Sequence, residues 1–307
     1  MLIPNPARAW AGPRASEATV RHVGELYHLY DPIYLQFWYY LRDLARGDWG
    51  LSPSSRQPVL RMIQAFFPAT LELAIAAMAI AIVLGVLLGV VSATNQNKPV
   101  DHASRILALF GVASPPFLLA IAIQFVFFYT LGVFPESGGR VTAGIVPPHV
   151  TGLLLLDSLI TGNLSVFWNA LQHIALPAVA LALLYFGIAA RLTRASMLEV
   201  MKMDYIRMAR AKGLRRRTVV YKHALRNALM PTTSVMSVMF AYMLGGDVVV
   251  ELIYSWPGVG RYAALSILSL DFPGVMGVTL VFALCVTAVN LIADVAYGFL
   301  DPRITFE

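Results

Sequence analysis

Five apolar stretches, each close to the length of a bilayer crossing, constrain this chain more than any other feature. They occur at about residues 68–91, 106–131, 174–190, 229–250 and 273–299 of 307. A membrane-spanning helix needs about 20 apolar residues, and it satisfies its own backbone hydrogen bonds inside the lipid. Only 13% of the residues are charged, about half the share usual in soluble domains. The sequence therefore predicts an all-α, polytopic helical membrane protein with five visible spans.

The positive charge of the chain is concentrated in one segment. Residues 191–227 hold eleven Lys and Arg residues and two acidic ones, whereas the whole chain has a net charge of +6. Loops rich in Lys and Arg stay on the cytoplasmic side of a membrane. We therefore expect the loop 191–228 and the C-terminus to be cytoplasmic. Residues 1–67 are then an extracytoplasmic N-terminal segment that precedes a transmembrane domain at 68–300. Such concentration in one loop argues against binding to nucleic acid.

The residue pattern of this basic loop predicts two short helices separated by a glycine. Residues Asp204 to Lys212 suit a helix, and Gly213 is well placed to end it because glycine adopts the left-handed conformation without steric cost. A second helical run from Thr218 to Ala228 leads to Pro231. One interpretation is that this is only the charged loop that orients the protein in the membrane.

A second interpretation comes from the motifs of the chain. The loop reads Asp204-Tyr205-Ile206-Arg207-x-Ala209-Arg210-Ala211-Lys212-Gly213-Leu214 and then His223-Ala224-Leu225-Arg226-Asn227-Ala228-Leu229-x-Pro231. It resembles the EAA loop of ABC importer permeases, and more narrowly that of the B-type inner-membrane permease subunit of oligopeptide, dipeptide and nickel importers. Arg207-Met208-Ala209 stands where the wider superfamily has Glu-Ala-Ala, a departure that is usual in the peptide branch.

Further motifs resemble the same family in the proper order. They are Asn5-Pro6-Ala7, Asp31-Pro32, Gln36, Gly47-Asp48-Trp49-Gly50-Leu51-Ser52, His173-Ile174-Ala175-Leu176-Pro177, the external turn Tyr254-Ser255-Trp256-Pro257-Gly258-Val259-Gly260-Arg261 and Asp301-Pro302-Arg303. The family's own first span has no counterpart before residue 68. We therefore expect either that translation starts upstream of Met1 or that this copy is shortened.

This resemblance implies a type I ABC importer permease fold, and a subunit that forms half of a translocation pathway for peptides. In that family the loop forms a coupling helix, which sits in a groove of the ATP-hydrolysing subunit. The corresponding residues here are Asp204, Tyr205, Arg207, Ala209, Arg210, Ala211, Lys212, Gly213 and Leu214. We expect Arg207, Arg210 and Lys212 to supply charge near that interface, and Ala209 and Ala211 to allow close approach.

The resemblance also implies which partners the chain has. They are a second, C-type permease subunit, two ATP-binding subunits, an extracytoplasmic substrate-binding protein and the lipid bilayer. No cofactor or metal is expected on this chain, with ATP and Mg²⁺ held by the ATPase subunits. The sequence itself has no Gly-x-x-x-x-Gly-Lys-Ser/Thr phosphate loop and no hydrolase motif. Peptide is the expected substrate, and nickel or another solute is the alternative. The sequence does not assign any substrate-binding residue.

Two other functions, an ion-driven transporter and an intramembrane enzyme, are alternatives to the importer. An ion-driven secondary transporter would normally have more spans with internal repeats. An intramembrane enzyme would need to use Asp247, Asp294 or His223, and no pair of these has a recognised motif spacing. Three further polar residues have both a structural and a functional interpretation. Glu72 lies near one end of a span, and Asn290 and Asp294 lie on one face of a helix.

Overall fold

The computed structural model describes residues 6–11 and 14–300, and these residues are almost entirely helical. The helices are α1 (Pro6–Ala11), α2 (Glu17–Leu26), α3 (Ile33–Ala45), α4 (Val59–Thr94), α5 (Pro99–Ala113), α6 (Pro116–Gln124), α7 (Leu154–Ile160), α8 (Leu164–Val200), α9 (Asp204–Ala211), α10 (Arg216–Thr218), α11 (Leu225–Leu244), α12 (Val248–Ile253), α13 (Val259–Leu268) and α14 (Phe272–Leu300). Two π-helical segments, Phe125–Thr130 and Val219–Ala224, follow α6 and α10. The motif residue Asn5 and the motif Asp301-Pro302-Arg303 lie outside the described residues.

Three of the described helices, α4, α8 and α14, are long and apolar enough to cross a membrane by themselves. With 36 and 37 residues, α4 and α8 are each about 55 Å long, well beyond a hydrocarbon core of about 30 Å. They contain the predicted spans 68–91 and 174–190 but begin earlier and end later. Pro68 and Pro177 were expected near the start of these spans, and both lie inside the helices instead. Both long helices therefore project past the membrane.

The second predicted span is broken at Ser114-Pro115-Pro116, where two successive prolines interrupt the helix. Helix α5 ends at Ala113, and Ser114 is extended because a residue before proline is disfavoured in the α conformation. The axes of α5 and of the helix that follows differ by 105°. If this bent pair is one span, the described residues contain four spans by length and composition.

The predicted span 229–250 differs most from the structure. Helix α11 ends at Leu244, and Gly246 turns the chain with φ +88° before α12 begins. A Cβ on Gly246 would also lie 2.5 Å from the backbone nitrogen of Gly260, so this turn requires glycine. Among the described residues, α11 is not one of the helices that are long and apolar enough to count as a span. Its first turn contains the polar residues Arg226 and Asn227.

Two glycines bring α4 and α8 into close contact. A Cβ on Gly85 would lie 2.5 Å from the Cβ of Ala189, and one on Gly89 would lie 2.7 Å from the Cβ of Thr193. Small residues four apart let membrane helices approach closely. Helix packing therefore explains this small-xxx-small pattern.

The segment between α6 and α8 is anchored by buried carboxylates. Glu72, which is only 7% exposed, binds Arg140 through Oε2 at 2.5 Å and accepts a hydrogen bond from the backbone N–H of Leu155. Asp157 accepts backbone N–H bonds from residues 150–152. Burial alone would raise the pKa of Asp157, but these bonds and the Thr151 hydroxyl outweigh it and lower the pKa to about 2. Glu72 is thus a structural anchor for this segment.

Candidate coupling site

The short helix α9 lies between the ends of α8 and α10. It begins after Met203, which is extended, and Asp204 places negative charge in the first turn, where the helix dipole favours it. Gly213 follows the helix with φ +73°, and its N–H binds the carbonyl of Arg210 at 2.9 Å. A Cβ on Gly213 would have no neighbouring atom within 4 Å. The predicted helix and its termination at Gly213 are confirmed. The left-handed backbone conformation, and not a lack of room for a side chain, favours glycine at this position.

One face of α9 is buried in the protein's own core. Ile206 is 0% and Ala209 7% exposed, and both belong to an apolar cluster. The other buried members of this coupling cluster are Val90, Ala93, Met197, Val200, Val219, Val220, Ala224 and Ala228. The phenol of Tyr205 also accepts a hydrogen bond from Asn227 Nδ2 at 2.7 Å. Helix α9 is therefore attached to α4, α8 and the start of α11.

The opposite face of α9 and the glycine turn are exposed. This outer face consists of Asp204, Arg207, Met208, Arg210, Ala211, Lys212, Gly213 and Leu214. Arg207 lies 3.3 Å from Asp204, but both side chains are strongly exposed, so this ion pair adds little stability. The outer face thus carries three basic side chains, Arg207, Arg210 and Lys212, none of which is paired with a buried carboxylate among the described residues.

The structure places two residues of the expected coupling set at least partly inside the protein. Ala209 was expected to allow close approach of another subunit, but it lies three residues after Ile206 and shares its buried face. Tyr205 is half-buried and engaged with Asn227. Met208, which is not in the expected set, is 57% exposed on the outer face. Its position four residues after Asp204 was the available signal, because residues four apart share a helical face.

The second helical run of the loop is longer than expected. After α10, the π-helical segment continues without interruption into α11, and Pro231 lies inside α11 rather than at its start. Arg216 donates a hydrogen bond through Nη2 to the carbonyl of Thr94 at the end of α4. The loop is consequently fixed to α4 on this side.

A buried ion pair joins three long helices beside the coupling cluster. Asp101 of α5 is fully buried and accepts two hydrogen bonds of 2.8 Å from Arg194 of α8. Ser92 of α4 donates to the same carboxylate, and the backbone N–H of Asn97 lies 3.0 Å from it. A bidentate Arg–carboxylate pair fixes orientation as well as distance. The end of α4, the start of α5 and the C-terminal part of α8 are thereby joined beside the coupling cluster.

The predicted Trp-Pro-Gly-x-Gly turn forms an anchor in a different part of the bundle. Trp256 is 1% exposed and donates through Nε1 to the carbonyl of Ala69 at 2.9 Å. The buried carboxylate of Glu251 accepts from the hydroxyl of Thr70 and from the backbone N–H of Arg261, both at 2.8 Å. The turn is therefore fastened to α4 near residues 69 and 70.

An apolar groove of about 530 Å³ lies between α4, α11 and α14. Thr233 and Ser237, one turn apart on α11, are its polar residues. Apolar residues make up the rest of its lining: Ile75, Met78, Ala79, Ile82, Met236, Phe240, Val289, Ile292 and Ala293. Its size is that of a small-molecule site. Asn290 and Asp294 on α14 are exposed in this chain.

The described residues thus form a helical membrane protein with long spans and a short basic helix exposed at one end of the bundle. Comparison with known proteins narrows this class. The sequence profile of the binding-protein-dependent transport system inner membrane component matches residues 81–306. The chain belongs to this family, and it is a multi-pass permease subunit of an ABC importer that works with other components of the transporter.

Several relatives match nearly the whole chain. The probable D,D-dipeptide transport system permease DdpB of Escherichia coli K12 is 45% identical, over 99% of this chain and 89% of its own. The dipeptide permease DppB of Alkalihalophilus pseudofirmus is 40% identical over 99% and 92%. The glutathione permease GsiC of Escherichia coli K12 is 36% identical over 100% and 91%.

A solved structure, described as an amino acid ABC transporter with histidines, has the same fold. Its TM-score is 0.50 at 13% identity, over 74% of this chain and 88% of that one. The type I importer permease fold expected from the sequence is confirmed. Family membership does not favour an ion-driven secondary transporter.

Proposed function

We propose that this chain is the B-type permease subunit of an importer of short peptides. It forms half of the translocation pathway together with a second, C-type permease. Two ATP-binding subunits, which hold ATP and Mg²⁺, supply the energy, and an extracytoplasmic binding protein delivers the peptide. The relatives described above, a dipeptide permease, a probable D,D-dipeptide permease and a glutathione permease, support this substrate class.

In this proposal α9 is the coupling helix, and its outer face docks on an ATP-binding subunit. The observation that carries the assignment is the two-sided character of α9. Ile206 is fully buried in the coupling cluster, whereas Arg207 and Met208 point outward. A displacement of α9 by a docked subunit would therefore be transmitted to α4 and α8 through the packed side chains of the coupling cluster. The chain's membership of the family of inner membrane transport components also supports a coupling role for α9.

The proposal places the loop 191–228 and the C-terminus in the cytoplasm and residues 1–67 outside. The concentration of basic residues in the loop supports this orientation. We also assign the groove between α4, α11 and α14 to the wall of the pathway. Its exposed apolar lining with two hydroxyl groups would be completed by the second permease.

The experiment that tests the coupling role replaces Gly213 by valine. A valine at φ +73° costs about 1–3 kcal/mol of backbone strain, which the loop relieves by shifting α9. We expect peptide uptake to fall at least tenfold while the assembled complex still hydrolyses ATP. The measurement is uptake of labelled dipeptide and ATP hydrolysis, both in proteoliposomes.

Gly162 supplies the matched control. It has φ +70°, and a Cβ there would also meet no atom within 4 Å, but it lies between α7 and α8. Gly162→Val carries similar strain and is expected to leave uptake within twofold of wild type. Unchanged peptide uptake in Gly213→Val, with the complex intact, would overturn the coupling assignment.

A further inference from the structure

A second groove, of about 450 Å³, lies between α5 and α8 at the end of the bundle that carries the basic loop. It is lined by His102, Arg105, Ile106, Leu109, Arg191 and Arg194. None of the residues proposed for coupling or for the pathway wall lines it. It is therefore separate from the sites described above.

The charge of this groove is uncompensated. Arg194 is paired with Asp101, which is fully buried behind it. Arg105 and Arg191 are exposed and have no acidic partner within 4 Å among the described residues. With His102 neutral, the groove and Asp101 together carry a net charge of +2. The groove therefore attracts an anion.

The rest of the surface indicates where this anion comes from. Ile106 and Leu109, which line the groove, are 70% and 58% exposed, and Phe110 beside them is 59% exposed. These residues belong to the apolar helix α5, part of the bent span. An apolar strip that continues from a basic pocket matches a molecule with an anionic head and hydrocarbon tails. Basic pockets between membrane helices on the cytoplasmic side bind anionic lipid headgroups.

We propose that this groove binds an anionic phospholipid. The phosphate lies between the guanidinium groups of Arg105 and Arg191, and the acyl chains run along Ile106 and Leu109. Arg194 contributes from the back of the site, where Asp101 holds it in place. Because α8 continues from this groove to α9, the lipid binds the same helix that carries the coupling loop.

The test uses the transporter complex expressed with its partner subunits and delipidated in mild detergent. Native mass spectrometry during titration with phosphatidylglycerol, and separately with phosphatidylcholine, measures the bound fraction. We expect wild type to retain phosphatidylglycerol in preference to phosphatidylcholine. One basic residue near a membrane surface contributes about fivefold in affinity, so Arg105→Gln with Arg191→Gln should weaken phosphatidylglycerol binding by at least tenfold.

Two further variants make the test specific. Arg215→Gln with Arg217→Gln removes the same charge from exposed positions outside the groove and should change binding by less than twofold. Arg105→Lys keeps the charge and should retain most of the binding. Equal melting temperatures of the variants exclude misfolding as the cause, and Arg194 is left intact because its removal would strand the buried Asp101.

Three results would overturn the proposal. The first is equal loss of phosphatidylglycerol in the groove variant and in the loop control. The second is complete displacement of the lipid by millimolar inorganic phosphate, which would identify a simple phosphate site. The third is equal retention of phosphatidylglycerol and phosphatidylcholine by the wild-type complex, which would mean that the groove does not select an anionic headgroup.

Discussion

At the scale of single residues, the coupling site depends on which face of α9 each side chain occupies. Ile206 is fully buried in the coupling cluster, and Met208, two positions later, is 57% exposed. The two residues are close in the sequence and similar in polarity, but they lie on opposite sides of the helix. Stability and docking can therefore be separated by changing one of them at a time.

Ile206→Ala is predicted to destabilise the protein, because it leaves a cavity between α9 and the coupling cluster. Buried Ile→Ala substitutions cost about 2–5 kcal/mol. We expect a lower melting temperature of the purified complex and reduced uptake. The measurement is thermal unfolding in detergent alongside dipeptide transport.

Met208→Ala serves as the matched comparison. Its side chain is exposed in this chain, so stability should change by no more than about 0.5 kcal/mol. If α9 has the proposed coupling role, transport should fall, because Met208 would lose an apolar contact with the ATP-binding subunit. A Met208→Ala variant that melts as early as Ile206→Ala would contradict the observed orientation of α9.

At the scale of helices, the buried pair of Asp101 and Arg194 connects α5 to α8, and Ser92 adds α4. This clamp and the close glycine contacts of α4 with α8 join the three helices beside the coupling cluster. The anchor of Trp256 on the carbonyl of Ala69 fixes α4 near residue 69. Helix α4 is thus held at two places along its length.

Breaking this clamp from one side is predicted to cost more than removing it completely. Asp101→Leu leaves Arg194 partly buried without a counter-charge, and breaking a buried pair in this way costs about 3–5 kcal/mol. Adding Arg194→Met removes the stranded charge, so the double variant should recover at least half of the lost stability. A double-mutant cycle by thermal unfolding measures this, and strictly additive losses would show that the pair is not coupled.

At the scale of the whole molecule, the proposed orientation puts α9 and residue 146 on opposite sides of the membrane. The chain has one cysteine, Cys285, so Cys285→Ser gives a background for labelling. Val146 is 87% exposed, and Arg217 is also exposed. In intact spheroplasts, an impermeant maleimide should label Val146→Cys but not Arg217→Cys until the membrane is permeabilised. The reverse pattern would invert the topology.

The sequence by itself determined the location of the apolar helices, the break at Ser114-Pro115-Pro116, and the short helix that Gly213 ends. These features depend on local conformational preference and on hydrophobic length, and both can be read from neighbouring residues. The family could also be recognised, because its motifs are contiguous. The sequence boundaries of α4, α8 and α11 were wrong where helices continue past the membrane or stop within an apolar run.

Only the tertiary structure decided which polar residues meet. Glu72 pairs with Arg140 and Asp101 with Arg194, although these partners are far apart in the chain. Their encounter depends on how the helices pack, and no local pattern contains that information. The same packing turned Ala209 inward and Met208 outward, and it placed Arg105 beside Arg191. Hydrophobic length thus sets which segments become helices, whereas packing between distant helices sets the chemistry of their surfaces.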